Sequence, residues 1–555
     1  MVLIGNPSAW VGLTIDLVAV GPVPVIVGTG ILLLVGESAR GPSSQPIVMN
    51  NRSDAAKYFH SGDLKDAIEL AFGNGCPVVF AVRVLGEDAR FATATLVDGL
   101  GNNCLTLTAA SEGSWANSVI ITVADGDYHG TEYNGGIPGD GHELPYYTNH
   151  CALVKSDANW VKVNGVAKTI VDTLNEVNAS SKVYVDLTNG ALYFYGGYWP
   201  QITDYISYRL KYHTRKVTIT DNEKTYIFNN IPSLVHLIAD LQHTGMVTGT
   251  NVPGTTPYIA VETHLPAIGT YPLTNGYNGR EILVEDWETA MYLGGEYAAN
   301  LVGGPTCVAL TTYEVDLGTY DLVPSLDAFL VYMQNGFHPC LGFVTMKPNA
   351  LLTEALELAS GYNNRLLTIV VNGWDNSVNI KNIAVARAAK ECAVALGEST
   401  AMSSNAMNGL NGILNTFNQS ETDMMTTGGV DVIIKKRGVL PYIGISTATD
   451  WQFMRCVDNR TINFVIIATE YICRQFYHRK RTRTVLSSIK QSLAQMLQDL
   501  KDLEDIRDFE VHVSAHPTDT GRVNIDLTME NIGHIERFRE VMNVGIMGAG
   551  DTTRV

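Results

Sequence analysis

The sequence predicts an α/β (α+β) multidomain protein, on three observations. Strand-like and helix-like runs alternate near the start and again from about residue 282, the pattern of a layered sheet with helices against it. Between them, from Leu105 to about residue 265, the chain is rich in Thr, Tyr, Asn and Gly with short β-like runs, which reads as a mostly β insertion. Near the C-terminus two runs of period two flank a turn, the signature of a β-hairpin. With 555 residues, 46% of them hydrophobic and 17% charged, the chain has the length for several domains and the apolar content for well-buried cores.

Each element follows from its local pattern. Residues 17–36 carry no charge and are long enough to cross a bilayer, but Gly21, Pro22, Pro24, Gly28 and Gly30 interrupt any continuous helix. A secretion signal needs basic residues ahead of its apolar run, whereas the first Lys or Arg is Arg40. Gly28-Thr29-Gly30 stands before a β-like run and not after one, the reverse of a dinucleotide loop. The stretch is therefore read as an extended entry into a buried strand, Ile31–Gly36, with strands on both sides. Helical spacing over 54–59 and 64–72 precedes a β-branched strand at 76–84. In the insertion, strands are expected at 181–187, 191–195 and 216–219, while the Gly- and Asp-rich stretch 125–145 reads as a solvent-exposed loop lacking the ligand spacing of a calcium loop. After residue 282 come helix 287–301, strand 306–310, helix 325–335, strand 341–346, helix 351–360, strand 366–371 and helix 380–396. Helices at 462–477 and 485–503 lead into the hairpin strands 509–513 and 523–529.

No chemistry emerges from the motifs. A net charge of −18 argues against general nucleic-acid binding, and apart from the opening nothing has the length and apolarity of a membrane span. The eight cysteines contain no CxxC pair and are expected as reduced, buried thiols. There is no phosphate cradle, HExxH or GxSxG; Gly444-Ile445-Ser446-Thr447-Ala448 lacks the second glycine. The pair His512 and His516 has no third ligand nearby, and the acids at 499, 502, 504, 505 and 508 read as a solvated face. No metal, cofactor or enzymatic activity is expected. The charge anomaly is Arg474, Arg479, Lys480, Arg481, Arg483 and Lys490, with no acid between residues 471 and 490. It reads either as a solvated helix junction or as a docking surface for an acidic partner.

In their order along the chain, several segments resemble the contractile tail sheath proteins of bacteriophages and related injection machines. They are the entry 19–30, Leu34-Val35-Gly36-Glu37-Ser38-Ala39-Arg40-Gly41-Pro42, the helix and turn 66–77, Ala81-Val82-Arg83-Val84, residues 107–117 with Ser114-Trp115-Ala116-Asn117, the return 272–279, and the segments 428–434 and 438–444. Ile445-Ser446 departs from the family's Ala-Arg at that point, and residues 120–265 and the tail beyond Met529 match nothing in the pattern.

The resemblance implies an inner α/β domain built from the N- and C-terminal portions, with mostly β outer insertions. The expected division is an N-terminal linking arm at 1–20, inner domain at 21–103, β insertion at 104–270, a second α/β domain at 271–435, C-terminal inner domain with hairpin at 436–535 and a tail at 536–555. It implies a structural subunit that forms hexameric rings stacked around an acidic tail tube, meets baseplate and tail terminator proteins, and contracts by domain repacking. Assembly would occur in the host cytoplasm and the product would be a virion tail. The arm, through Leu13, Ile15 and Leu17, would add a strand to a neighbour's hairpin, through Val511, Val513, Val523, Ile525 and Leu527, which have the alternation strand addition requires. Arg455, Arg460, Arg474, Arg479, Lys480, Arg481 and Arg483 become candidates for the tube contact. Two alternatives stay open: another virion or baseplate component, and a carbohydrate-active enzyme using the Tyr-rich insertion.

Overall fold

The computed structural model describes residues 30–532 apart from 44, 127–128, 139–144, 148–152, 188–189, 197–198, 254–264, 314–321, 347–349, 372–382, 402–404, 411–412, 414–416, 436–437 and 520. The chain forms two compact units: residues 1–34, 67–80 and 294–555 belong to one, and 35–66 and 81–293 to the other.

The first unit is the layered α/β part. Its sheet contains β1 (Ile31–Gly36) and β2 (Val78–Arg83), whose last residues, 35–36 and 81–83, are counted with the second unit, and β3 (Cys307–Tyr313), β4 (Leu341–Thr345), β5 (Leu367–Val371), β6 (Val430–Lys435) and β7 (Val439–Pro441), in the order β2-β1-β3-β4-β5-β6-β7. Strands β3 to β6 are parallel and β7 returns antiparallel. Every residue of β1, β4 and β5 is buried, which is why these strands read as unbroken apolar runs. Helices α1 (Leu322–Asn335), α2 (Leu352–Ser360), α3 (Ile383–Ala393) and α4 (Gln419–Thr427) connect and cover the strands. Asn418 caps α4 by accepting from the Glu421 N–H, and the Glu421 carboxylate accepts from the Asn418 N–H in return.

Two long helices follow, α5 (Cys456–Arg474) and α6 (Arg483–Asp502), and then the hairpin of β8 (Ile506–Ala515) and β9 (Val523–Asn531). Helix α5 begins six residues before the expected position, because its first turns bury Asn459 and Arg460, polar residues that break the apolar periodicity. The α6 hydroxyl cap is Thr482, which accepts from the Val485 N–H.

The second unit is mostly β, as its composition predicts. A sheet of Thr225–Ile231, Arg215–Thr220, Ile120–Asp125 and Gly269–Pro272, and another of Val247–Asn251, Asn103–Ala109 and Thr93–Val97, share one core with helix Leu234–Gln242. A larger sheet has its own core around Val161, Val183, Phe194, Ile206 and Tyr208. Here the expectation of a loop at 125–145 is corrected: His129–Pro138 is a strand paired antiparallel with Tyr205–Tyr212. Pairing to a long neighbour overrides the local turn tendency, and its place at the sheet's edge tolerates glycine and proline.

Candidate functional site

Among the described residues the hairpin forms a sheet of two strands. Its register sets Phe509 opposite Met529, Val511 opposite Leu527 and Val513 opposite Ile525, so one face is apolar throughout. The other face carries Glu510, His512 and Ser514 opposite Thr528, Asp526 and Asn524. Helix α6 packs against β8. Val511 is buried there, while Val513, Val523, Ile525 and Leu527 are only half-buried. A groove of about 1450 Å³ accounts for the exposure of the β9 residues Val523, Ile525 and Leu527. Consecutive residues Val523 to Leu527 line it, whereas no residue of β8 does, so it runs along the β9 edge that no described strand occupies. Its other sides are the α5 face of Ile462, Val465, Ile466 and Thr469 and the α6 residues Val485, Ile489 and Leu497. A second recess of about 940 Å³ shares Ile462, Leu527 and Met529 and continues the trough to Ile532. An open strand edge over an apolar floor is the geometry that accepts another strand.

The expected site residues separate into three groups. Val511, Val513, Val523, Ile525 and Leu527 come together on the apolar hairpin face. Leu13, Ile15 and Leu17 lie outside the described residues. The cations scatter. Arg479, Lys480 and Arg483 are exposed, Arg479 over the Phe476 ring. Arg474 is exposed and bonded to Glu470 at 2.6 Å. Arg481 instead ties the hairpin turn to the helix junction by donating to the carbonyls of His516, Asp519 and Arg522. Arg455 is half-buried, beside the second recess. Arg460 is 4% exposed and belongs to the interior, which takes it out of the surface set.

Arg460 joins α5 to a buried charge cluster. Glu391 on α3 is the hub: its carboxylate accepts from Arg387 at 2.6 Å, from Arg460 at 3.0 Å and from the Thr400 hydroxyl at 2.8 Å. Arg387 also donates to Asp431 of β6 at 2.8 Å, and Arg460 to the carbonyls of Ala395 and Glu398. Burial works against ionising Glu391, but the two arginines outweigh it and hold its pKa below the ordinary range. Asp431 has one arginine, so burial wins and its pKa is pushed up to about 6. Sequence reasoning missed this cluster. Its signal was present: a lone carboxylate in the apolar run Val430-Asp431-Val432-Ile433-Ile434, and an arginine inside the alanine-rich helix 383–393.

The second unit gathers four of the eight segments that carried the family resemblance. Arg83, at the end of β2, donates to the carbonyls of Ser38, Ala39, Gly41 and Glu112 at 2.9–3.2 Å. Burial pulls its pKa down to about 10, against the pull of Glu112. Arg40 of the clamped loop stacks over Trp115 and pairs with Asp221 at 2.6 Å. Asn117 and Gly276 exchange hydrogen bonds, and Ser114 donates to Asn278. Gly113, at φ 124°, has no room for a side chain: a Cβ there would stand 2.8 Å from the Asn278 amide oxygen. Segments 37–42, 81–84, 107–117 and 272–279 therefore form one hydrogen-bonded knot.

Among the described residues no group of three or more His, Cys, Asp or Glu is arranged to hold a metal, and no helix is long and apolar enough to cross a membrane. The described cysteines are free thiols, all buried except the half-buried Cys473.

The fold is that of the sheath tail proteins. The structure is similar to the sheath tail protein of Listeria innocua, with a TM-score of 0.53 at 13% identity, covering 92% of this chain and 97% of that one. It is also similar to the sheath tail protein of Desulfitobacterium hafniense, with a TM-score of 0.51 at 12% identity, covering 92% and 98%. Neither a family model nor a curated protein sequence matches the chain.

Proposed function

We propose that this protein is the structural subunit of a contractile tail sheath. The observation that carries the reading is the fold shared with two sheath tail proteins over 92% of the chain. The open edge of β9 supports the linkage: a neighbour's N-terminal arm, through Leu13, Ile15 and Leu17, adds a strand there. About five backbone hydrogen bonds at about 1 kcal/mol each keep subunits joined while they slide. The subunits form hexameric rings stacked around an acidic tube and bounded by baseplate and terminator proteins, assembled in the host cytoplasm for a virion tail. Contraction is a repacking of rigid domains from a metastable extended state, so the chain consumes no nucleotide and needs no cofactor. Arg474, Arg479, Lys480 and Arg483, with Arg455, are the tube-contact residues in this reading, and Arg460 is not. In domain terms, 1–20 is the arm, 21–103 and 436–535 form the inner domain, 104–270 is the outer insertion, 271–435 is a second α/β domain, and 536–555 is the tail.

Negative-stain electron microscopy of the full chain and of a chain lacking residues 1–18 tests the reading. Long hollow tubes from the first and none from the second are expected. Monodisperse particles from both under assembling conditions sink it.

A further inference from the structure

The second recess has apolar side chains in its lining that no described segment covers. Trp451, 76% exposed, Phe453 and Met454 come from the loop before α5, Ile462 from α5, and Met529 and Ile532 from the end of the hairpin. A contiguous apolar lining with an indole standing in solvent marks a docking surface. Three carboxylates, Asp423, Asp458 and Glu530, also line it, with Arg455 the cation there.

What can reach this recess follows from where the described chain ends. Ile532 is the last described residue and part of the lining, and residues 533–555 continue from it. Their first part has helical spacing: Ile535, Phe538, Met542 and Ile546 recur at intervals of 3, 4 and 4 and fall within about 80° of a helix surface. Read as a strand, the same stretch sets Phe538 on the face of Glu536 and Glu540, and Ile535 on that of Arg537 and Arg539. On the helix, Glu536, Arg537 and Glu540 point away from the apolar stripe, and Arg539 alone of the four charges flanks it. A cation at that edge suits the carboxylates of the recess. A segment tethered three residues from its site has an effective concentration in the millimolar range, on the order of a short flexible linker, which a second copy in dilute solution does not match.

We propose that residues 535–546 fold as an amphipathic helix into the second recess of the same chain, with Ile535, Phe538 and Met542 against Trp451, Phe453 and Met529, and Arg539 toward the carboxylates. The helix closes the trough at its Ile532 end and leaves the β9 edge from Val523 to Ile525 uncovered. Such a latch is internal to one chain and holds whether or not the chain polymerises.

The test uses the full chain, dilute and unassembled, with Phe538 replaced by photoreactive benzoylphenylalanine. Irradiation is expected to give a cross-link at monomer mass to a peptide from 449–455 or 527–532, and the same probe in place of Glu540, on the polar face, only background. Amide exchange over 535–546 is expected to be about tenfold slower than in a free peptide of that sequence. Phe538→Asp with Met542→Asp should return it to the peptide's rate, and Glu536→Ala with Glu540→Ala should not. Protection of β4 and β5 in the same samples reports that each variant is folded. A cross-link at dimer mass assigns the recess to a second copy and overturns the latch. Equal yields from positions 538 and 540, a monomer cross-link confined to other peptides, or exchange at the peptide's rate in the unaltered chain overturns docking itself.

Discussion

Two buried arginines are held in opposite ways, one in each unit. Arg83 is surrounded by four backbone carbonyls, and no carboxylate bonds its guanidinium. Arg387 is fully buried between two carboxylates, and the pull of Glu391 and Asp431 exceeds the burial cost, raising its pKa. Carbonyls are part of the chain, so Arg83 organises loops: it determines where segments 37–42 and 107–117 lie. Carboxylates are side chains on separate elements, so Arg387, Glu391, Asp431 and Arg460 tie α3, β6 and α5 together, and α5 is a wall of the groove. The first arrangement has no carboxylate hydrogen-bonded to its guanidinium, the Glu112 side chain acting on it only through charge. The second has two.

The largest expected effect comes from the hub. Glu391→Ala leaves Arg460 without its carboxylate and Arg387 with Asp431 as its remaining one, and should cost about 3–5 kcal/mol in denaturant unfolding; a loss under 1 kcal/mol would mean water reaches the cluster. Arg83→Met leaves four carbonyls without their donor and should cost about 3 kcal/mol. Because its damage is to loops, it should also open 37–42 and 107–117 to amide exchange while β4 and β5 stay protected. Equal exposure of both units would contradict a local knot.

Acid titration sharpens the contrast. Asp431 has a folded pKa near 6, above its unfolded value of 3.8, so its contribution to stability is full below 3.8 and lost as pH rises through 6. Glu391 is depressed below 4.5, so its contribution is full above 4.5 and lost as pH falls through its folded value. Asp431→Asn should remove a slope of up to about 1.4 kcal/mol per pH unit between pH 4 and 6, and Arg83→Met should leave that slope alone. An unchanged profile in Asp431→Asn would place Asp431 in an ordinary ion pair. Smallest is Arg40→Ala, which loses its Asp221 pair and its stacking on Trp115, for about 1 kcal/mol. A thermal melt unchanged in this variant would show that Arg83 alone holds the loop.

Much of the layered fold was legible because burial on both faces writes itself as apolar runs; β1, β4 and β5 lie within a residue of their expected positions. The hairpin was legible for the complementary reason, since Val523, Ile525 and Leu527 alternate with Asn524, Asp526 and Thr528. What misled was polarity in the interior. Arg460 reads as a surface cation, and only Glu391, distant in sequence, makes its burial tolerable. The strand His129–Pro138 was hidden by glycines whose pairing partner lies beyond residue 204.

By itself the sequence determined the element types, the hairpin, the absence of familiar catalytic motifs and a set of segments whose order resembles tail sheaths. These depend on period, composition and local spacing, which the chain carries one residue at a time. The tertiary structure alone decided that four of those segments form one knot, three of them joined through Arg83 and the fourth through Asn117 and Asn278, that Arg460 is interior, and that the open edge of β9 lies along a groove. Each of these depends on residues far apart in the chain arriving at one place, and no local pattern encodes that meeting.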